Sequence, residues 1–180
     1  MEHIKQDRII NVPNALTLVR ILLLPVVVWR FVLGDTTGAL IVYMTAMLTD
    51  ALDGIIARKT NQITALGKLL DPIADKLSLV TLLGLFVSNG EIPLWVLAII
   101  LFKEVMMVIG GGVALKHGIV VYALPIGKVT TVTFVLSMLA RFLSMPSPAD
   151  ILLWISVALS MVALVWYAID LMKKLGLKQI

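Results

Sequence analysis

Six long apolar runs, each close to the length of a bilayer-spanning helix, take up most of this chain. A spanning helix needs about 20 residues, and the runs cover 15–34, 39–57, 69–87, 94–115, about 120–143 and 151–172. Composition agrees. Of the 180 residues, 60% are hydrophobic and 14% charged, against about 45–50% and 25% in a soluble domain. So large an excess cannot be hidden in one small core, which excludes a soluble globular domain, a disordered chain and a collagen-like fibre. The absence of cysteine excludes a disulfide scaffold, a Cys-ligated zinc site and a thiol nucleophile. The net charge of +4 comes without a basic run, which suits a membrane surface and argues against nucleic acid. The expectation is an all-α polytopic membrane protein of six transmembrane helices, forming a single domain over 1–180.

The breaks between runs have recognisable chemistry. Asn11-Val12-Pro13-Asn14 precedes the first run, and Gly34-Asp35-Thr36-Thr37-Gly38 separates the first two. Asn89-Gly90-Glu91-Ile92-Pro93 is a turn signal, and Lys116-His117-Gly118 ends the fourth run. Pro125 and Gly127 predict a kink or late start in the fifth, which Met145-Pro146-Ser147-Pro148 closes. Residues 1–10 mix charged and apolar side chains and read as a short surface segment. They are not a secretory signal, since the apolar run that follows is too long and lacks a small-residue cleavage site.

Orientation follows from where cations flank the spans. Lys5 and Arg8, then Arg58, Lys59 and Lys68, then Lys116, then Lys173, Lys174 and Lys178 fall on one side; the other has little beyond Arg141. Both termini are therefore expected on the cytoplasmic side.

Charged residues inside spans are costly and usually functional. Four aspartates, Asp50, Asp53, Asp71 and Asp75, fall within 26 residues at the ends of the second and third runs. On a helix Asp50, Asp53, Gly54 and Ala57 share a face, as do Gly67, Asp71 and Asp75. The short polar link allows the two helices to be antiparallel neighbours with facing carboxylates. Unneutralised, four such groups would repel and take up protons. Hard cations with oxygen ligands, Mg²⁺ or Mn²⁺, fit them, and neither histidine is placed to bring in zinc. Two such ions about 4 Å apart would clamp a diphosphate for in-line displacement at phosphorus. Taken alone, the carboxylates equally fit an ion or proton site in a transporter, or simple pairing with Arg58, Lys68 and Lys76.

Resemblance decides between these. The pattern Asp50-x2-Asp53-Gly54-x2-Ala57-Arg58-x8-Gly67-x3-Asp71-x3-Asp75 matches the motif of the CDP-alcohol phosphatidyltransferase family at every fixed position. The opening Asn11-x-Pro13-Asn14-x-x-Thr17-x-x-Arg20, the chain length and the six runs resemble the family too. The resemblance implies a metal-dependent enzyme of phospholipid biosynthesis that moves a phosphatidyl group from CDP-diacylglycerol to an alcohol and releases CMP. It implies two divalent cations held by Asp50, Asp53, Asp71 and Asp75, with Asp75 also the general base. Gly54, Ala57, Arg58 and Gly67 would surround the CDP moiety. It implies a homodimer in the bacterial cytoplasmic membrane with its site on the cytoplasmic face.

The chain looks most like bacterial members that use sn-glycerol 3-phosphate and form phosphatidylglycerophosphate. Lys103 and Lys128 are the candidate cations for that acceptor; the plain alternatives are a local partner, Glu104, for the first and a snorkelling lysine for the second. The chain departs from that pattern at Lys103-Glu104, where Arg-Glu is usual, and at Thr130 and Phe134, where Lys and Gln are usual. A cardiolipin synthase taking phosphatidylglycerol is the alternative within the family, and an ion-coupled transporter the alternative from another class. Asn14, Thr17 and Arg20 are candidates to line the site from the first span. Gly110-Gly111-Gly112 is read as close helix packing, and His117 as a loop residue.

Overall fold

The computed structural model describes the backbone of residues 12–60, 65–119 and 125–176, and the side chains of these except at 12, 13, 51–60, 65, 66, 68 and 69. Within it are six α-helices and no strand: α1 Val12–Val32, α2 Thr36–Thr60, α3 Ala65–Ser88, α4 Leu94–Lys116, α5 Pro125–Phe142 and α6 Pro146–Lys174. Three stretches, Asn14–Val32, Leu94–Lys116 and Pro146–Lys174, are long and apolar enough to cross a membrane. The expected surface segment at 1–10 lies outside the described residues.

Each apolar run is a helix, but several boundaries move. α1 already begins at Val12, with Pro13 in its first turn, where a missing N–H costs nothing. α2 and α3 continue through polar motif residues, to Thr60 and from Ala65. α5 takes the late start, at Pro125. α5 closes at Phe142, ahead of the Met145–Pro148 cluster, and α6 opens inside that cluster at Pro146 rather than at Ile151.

The chain forms two compact units, Met1–Glu91 and Ile92–Ile180. In the first, α1 packs on both α2 and α3. Asn14, Thr17, Arg20, Leu24 and Val27, three or four residues apart, make one buried stripe down α1. Ala39, Tyr43 and Ala46 are buried on α2, and Ala74, Leu82, Leu83, Leu85 and Phe86 on α3. A tight turn joins α1 to α2. Gly34 sits in the left-handed region at φ +79°, its N–H donating to Phe31 O and that of Asp35 to Arg30 O, a Schellman ending. Asp35 then caps α2 by accepting from the Gly38 N–H at 2.8 Å. A Cβ on Gly38 would collide with the Asp35 carboxylate, so a side chain there would have to displace the cap.

Three contacts fix the relation of α1 to α3. Thr17 meets Asp71, Arg20 meets Asp75, and the Phe31 and Phe86 rings pack edge to face at 5.4 Å. Because partners rise together along both helices, α1 and α3 run parallel in a steady register.

In the second unit α6 packs on α5 and α4. Ala149, Leu153, Ser156, Ser160 and Ala163 form a buried, mostly small-residue stripe on α6, which lets neighbouring backbones approach. Trp95 of α4 stacks on Trp154 of α6 at 5.3 Å. The expectation for Gly110-Gly111-Gly112 is not met in the described residues. A Cβ on Gly111 or Gly112 would touch nothing within 4 Å, and one on Gly110 only Leu171 Cδ2 at 3.7 Å.

Candidate active site

Polar groups of the first unit converge through α1. Arg20 is 3% exposed, and its guanidinium spans two helices: Nη1 donates to Asp75 Oδ1 on α3 at 2.9 Å, and Nη2 pairs with Asp50 on α2. One turn earlier, fully buried Thr17 donates from Oγ1 to Asp71 Oδ1 at 2.9 Å. Asn14, one turn further back, is buried in the same stripe.

The register explains why these groups meet. Arg20 precedes the turn at Gly34 by about as many residues as Asp50 follows it, so they stand about 21 and 24 Å from the turn at 1.5 Å per residue. Asp71 and Asp75 are one turn apart on α3, and Thr17 and Arg20 nearly one turn apart on the parallel α1. A buried arginine is tolerable only when paired; here two carboxylates share it. The aspartates are less enclosed than the arginine, with the side chain of Asp50 50% exposed and that of Asp75 67%. Each pairs with α1 through a carboxylate oxygen and stays at least half exposed, so a ligand or cation can approach it.

An apolar groove of about 600 Å³ begins beside this centre. Ile21, Leu24, Pro25, Val28 and Val32 of α1 and Leu77 and Thr81 of α3 line it. Ile21 follows Arg20 directly, and Leu77 stands two residues beyond Asp75.

Three of the four motif aspartates are thus brought to one place. Asp53, Gly54, Ala57 and Arg58 lie on the helical backbone of α2, with their side chains outside the described residues. Gly67 is half-buried in the first turn of α3. Among the described residues no three acidic or histidine side chains form a group that could hold a metal ion. Lys103 and Lys128 belong to the second unit. Lys103 has the local partner weighed for it, pairing with Glu104 at 2.5 Å, and Lys128 is exposed on the first turn of α5. His117 is exposed at the end of α4, its Nδ1 2.9 Å from Val113 O.

Arg20, a candidate to line the site from the first span, is the cation that reaches both Asp50 and Asp75. The side chains of Arg58 and Lys68, weighed as local partners, lie outside the described residues. Among the described residues the two halves of the motif are linked through α1. The available signal was the spacing of Asn14, Thr17 and Arg20, three polar residues on one face of an otherwise apolar run.

Fold and site together define a helical membrane protein with an aspartate-rich centre bridged by one arginine. Comparison with known proteins makes this specific. The family model for CDP-alcohol phosphatidyltransferase matches residues 10–162. A cardiolipin synthase (CMP-forming) of Streptomyces coelicolor is 33% identical over 121 residues, 64% of this chain and 56% of its own length. Two proteins named CDP-diacylglycerol–glycerol-3-phosphate 3-phosphatidyltransferase match more of their length. The one from Aquifex aeolicus is 34% identical over 72% of this chain and 74% of its own. The one from Bacillus subtilis is 32% identical over 85% and 91%. The chain belongs to the CDP-alcohol phosphatidyltransferase family, a family of phospholipid biosynthesis that is generally dependent on divalent metals.

Proposed function

We propose that this protein transfers the phosphatidyl group of CDP-diacylglycerol to sn-glycerol 3-phosphate, giving phosphatidylglycerophosphate and CMP. The observation that carries the reading is the convergence of Asp50, Asp71 and Asp75 on Arg20 and Thr17. Similarity to relatives of the same named activity, one covered over 91% of its length, favours this acceptor. Within the same reading all six helices span the bacterial cytoplasmic membrane as one catalytic domain, with both termini and the site on the cytoplasmic side. A homodimer is part of it, by family resemblance.

The donor set suits hard divalent cations in kind: aspartate oxygens only, open on one side, with Asp53 completing the motif. Asp50, Asp53, Asp71 and Asp75 would hold two such ions, Mg²⁺ or Mn²⁺. Bound there, they supply neutralisation of the donor diphosphate and of departing CMP. Asp75 takes the proton of the acceptor hydroxyl, whose oxygen forms the new bond to the phosphatidyl phosphorus. The bond from that phosphorus to the bridging oxygen breaks, and CMP leaves with the oxygen. Gly54, Ala57, Arg58 and Gly67 surround the CDP moiety, and Lys103 and Lys128 receive the acceptor phosphate. The groove between α1 and α3 keeps apolar surface beside the charged centre, as a donor with acyl chains requires.

The deciding measurement is CMP release by purified protein in detergent with CDP-diacylglycerol and Mn²⁺, offering glycerol 3-phosphate, phosphatidylglycerol, inositol phosphate and serine separately. Glycerol 3-phosphate should be used best. Product from phosphatidylglycerol alone would make it the cardiolipin-forming enzyme, a reading the Streptomyces relative favours. No CMP with any acceptor would return the aspartates to a transporter.

A further inference from the structure

We infer that Arg20 is the resident cation of the aspartate centre: it holds the two motif halves together before any divalent ion arrives, and competes with that ion for the same oxygens. The inference rests on the metal-binding reading above. Its geometry stands in the helices themselves. One guanidinium, 3% exposed, reaches Asp50 on α2 with Nη2 and Asp75 on α3 with Nη1. A planar fork presents donors in fixed, divergent directions, which suits one carboxylate on each of two helices. A lysine ammonium in its place would be a point charge without that geometry.

Without a cation, the aspartates of α2 and α3 would be packed together unneutralised at the edge of an apolar environment, which drives helices apart or carboxylates to protonate. Arg20 removes that penalty for two of them at the cost of one buried charge. Thr17 contributes a neutral donor to Asp71 and no charge. The site is thus assembled while empty of metal, but its affinity for metal is lowered, because each ion must displace or share the hydrogen bonds that Arg20 makes. Hydrogen bonds to charged groups are typically worth about 1.5–3 kcal/mol, so losing that competition should change metal affinity by about tenfold or more.

The test is Mn²⁺ binding by the full-length protein in detergent, read from the free-ion electron paramagnetic resonance signal. Thermal unfolding is followed alongside, in chelator and in Mn²⁺. Arg20→Gln should bind Mn²⁺ about tenfold more tightly than the parent. It should also melt earlier in chelator and gain more from added Mn²⁺ than the parent gains, since the ion then does the work the guanidinium did. A purely structural arginine would lower the melting temperature equally with and without Mn²⁺ and leave affinity unchanged, and that result overturns the inference. So does weaker Mn²⁺ binding, which would make Arg20 an organiser that helps the ion rather than a rival. Should Arg20→Gln not fold, Arg20→Lys carries the same test. It keeps the charge, bridges less well, and should tighten Mn²⁺ binding by about threefold, with no change or a loss again overturning the inference. Failure of the parent protein to bind Mn²⁺ would instead overturn the metal reading, a separate outcome.

Discussion

The two units use their polar side chains differently. In the first, Thr17–Asp71 and Arg20–Asp75 join residues 54 and 55 positions apart, and Arg20 also reaches Asp50. In the second, Arg141 pairs with Asp150 nine residues on, Ser137 donates to Ala149 O twelve residues on, and Lys103 pairs with its neighbour Glu104. The first two of these tie the α5–α6 hairpin to itself. Polar contacts of short reach close local structure; those of long reach decide which helices meet and which charged groups are gathered. On this comparison the motif aspartates are gathered in the first unit, and the inner polar contacts of α5 and α6 hold a scaffold.

The comparison can be broken by asking which unit, when altered, changes turnover and which changes only stability. Asp75→Asn should lower turnover about 10³-fold, the scale of losing a general base, while leaving the melting temperature within a few degrees; substantial residual CMP release would remove Asp75 from that role. Asp150→Ala takes one partner from buried Arg141 and should cost about 2 kcal/mol of stability, with CMP release per folded molecule unchanged; a loss of specific activity would mean that the α5–α6 contacts reach the chemistry. Thr17→Val is nearly isosteric and removes the hydroxyl that donates to Asp71. It should lower kcat about tenfold, since the lost bond is to a charged group, with little effect on unfolding. The smallest effect is expected at Ser144, which sits in the left-handed region at φ 55° between α5 and α6. Ser144→Gly should raise stability by about 1 kcal/mol and leave turnover alone; no gain in unfolding experiments would show that the turn is not strained.

How much of this could be read beforehand varied with the physics involved. All six helices were legible because an apolar run of spanning length has few alternatives. Their ends were less so. Hydropathy fades where Asp50 to Thr60 and Ala65 to Leu70 begin to carry charge, yet the backbone stays helical there, because helix propensity does not follow hydropathy. The start of α6 lies ahead of its apolar run for a related reason: a proline that stops a helix from the inside can start one at its first turn, as Pro146 does. The acidic half of the site was legible from spacing alone. Arg20 was legible as a residue lining the site but not as the shared partner of Asp50 and Asp75, since that is set by the register of α1 against α2 and α3, a tertiary property. The glycine triplet erred in the other direction: small residues permit close packing, but α6 comes near only one of the three.

The tight turn between α1 and α2 has a consequence for how the protein enters its membrane. An arginine carried into a bilayer on a lone helix costs about 2.5–3.5 kcal/mol on insertion scales. Here the hairpin closed by Gly34 and capped by Asp35 sets Asp50 level with Arg20. The first two helices can therefore be delivered together as an electrically balanced pair. α3 then brings in Asp75 against a guanidinium already in place, so the order of synthesis is also an order in which each new charge finds its partner waiting.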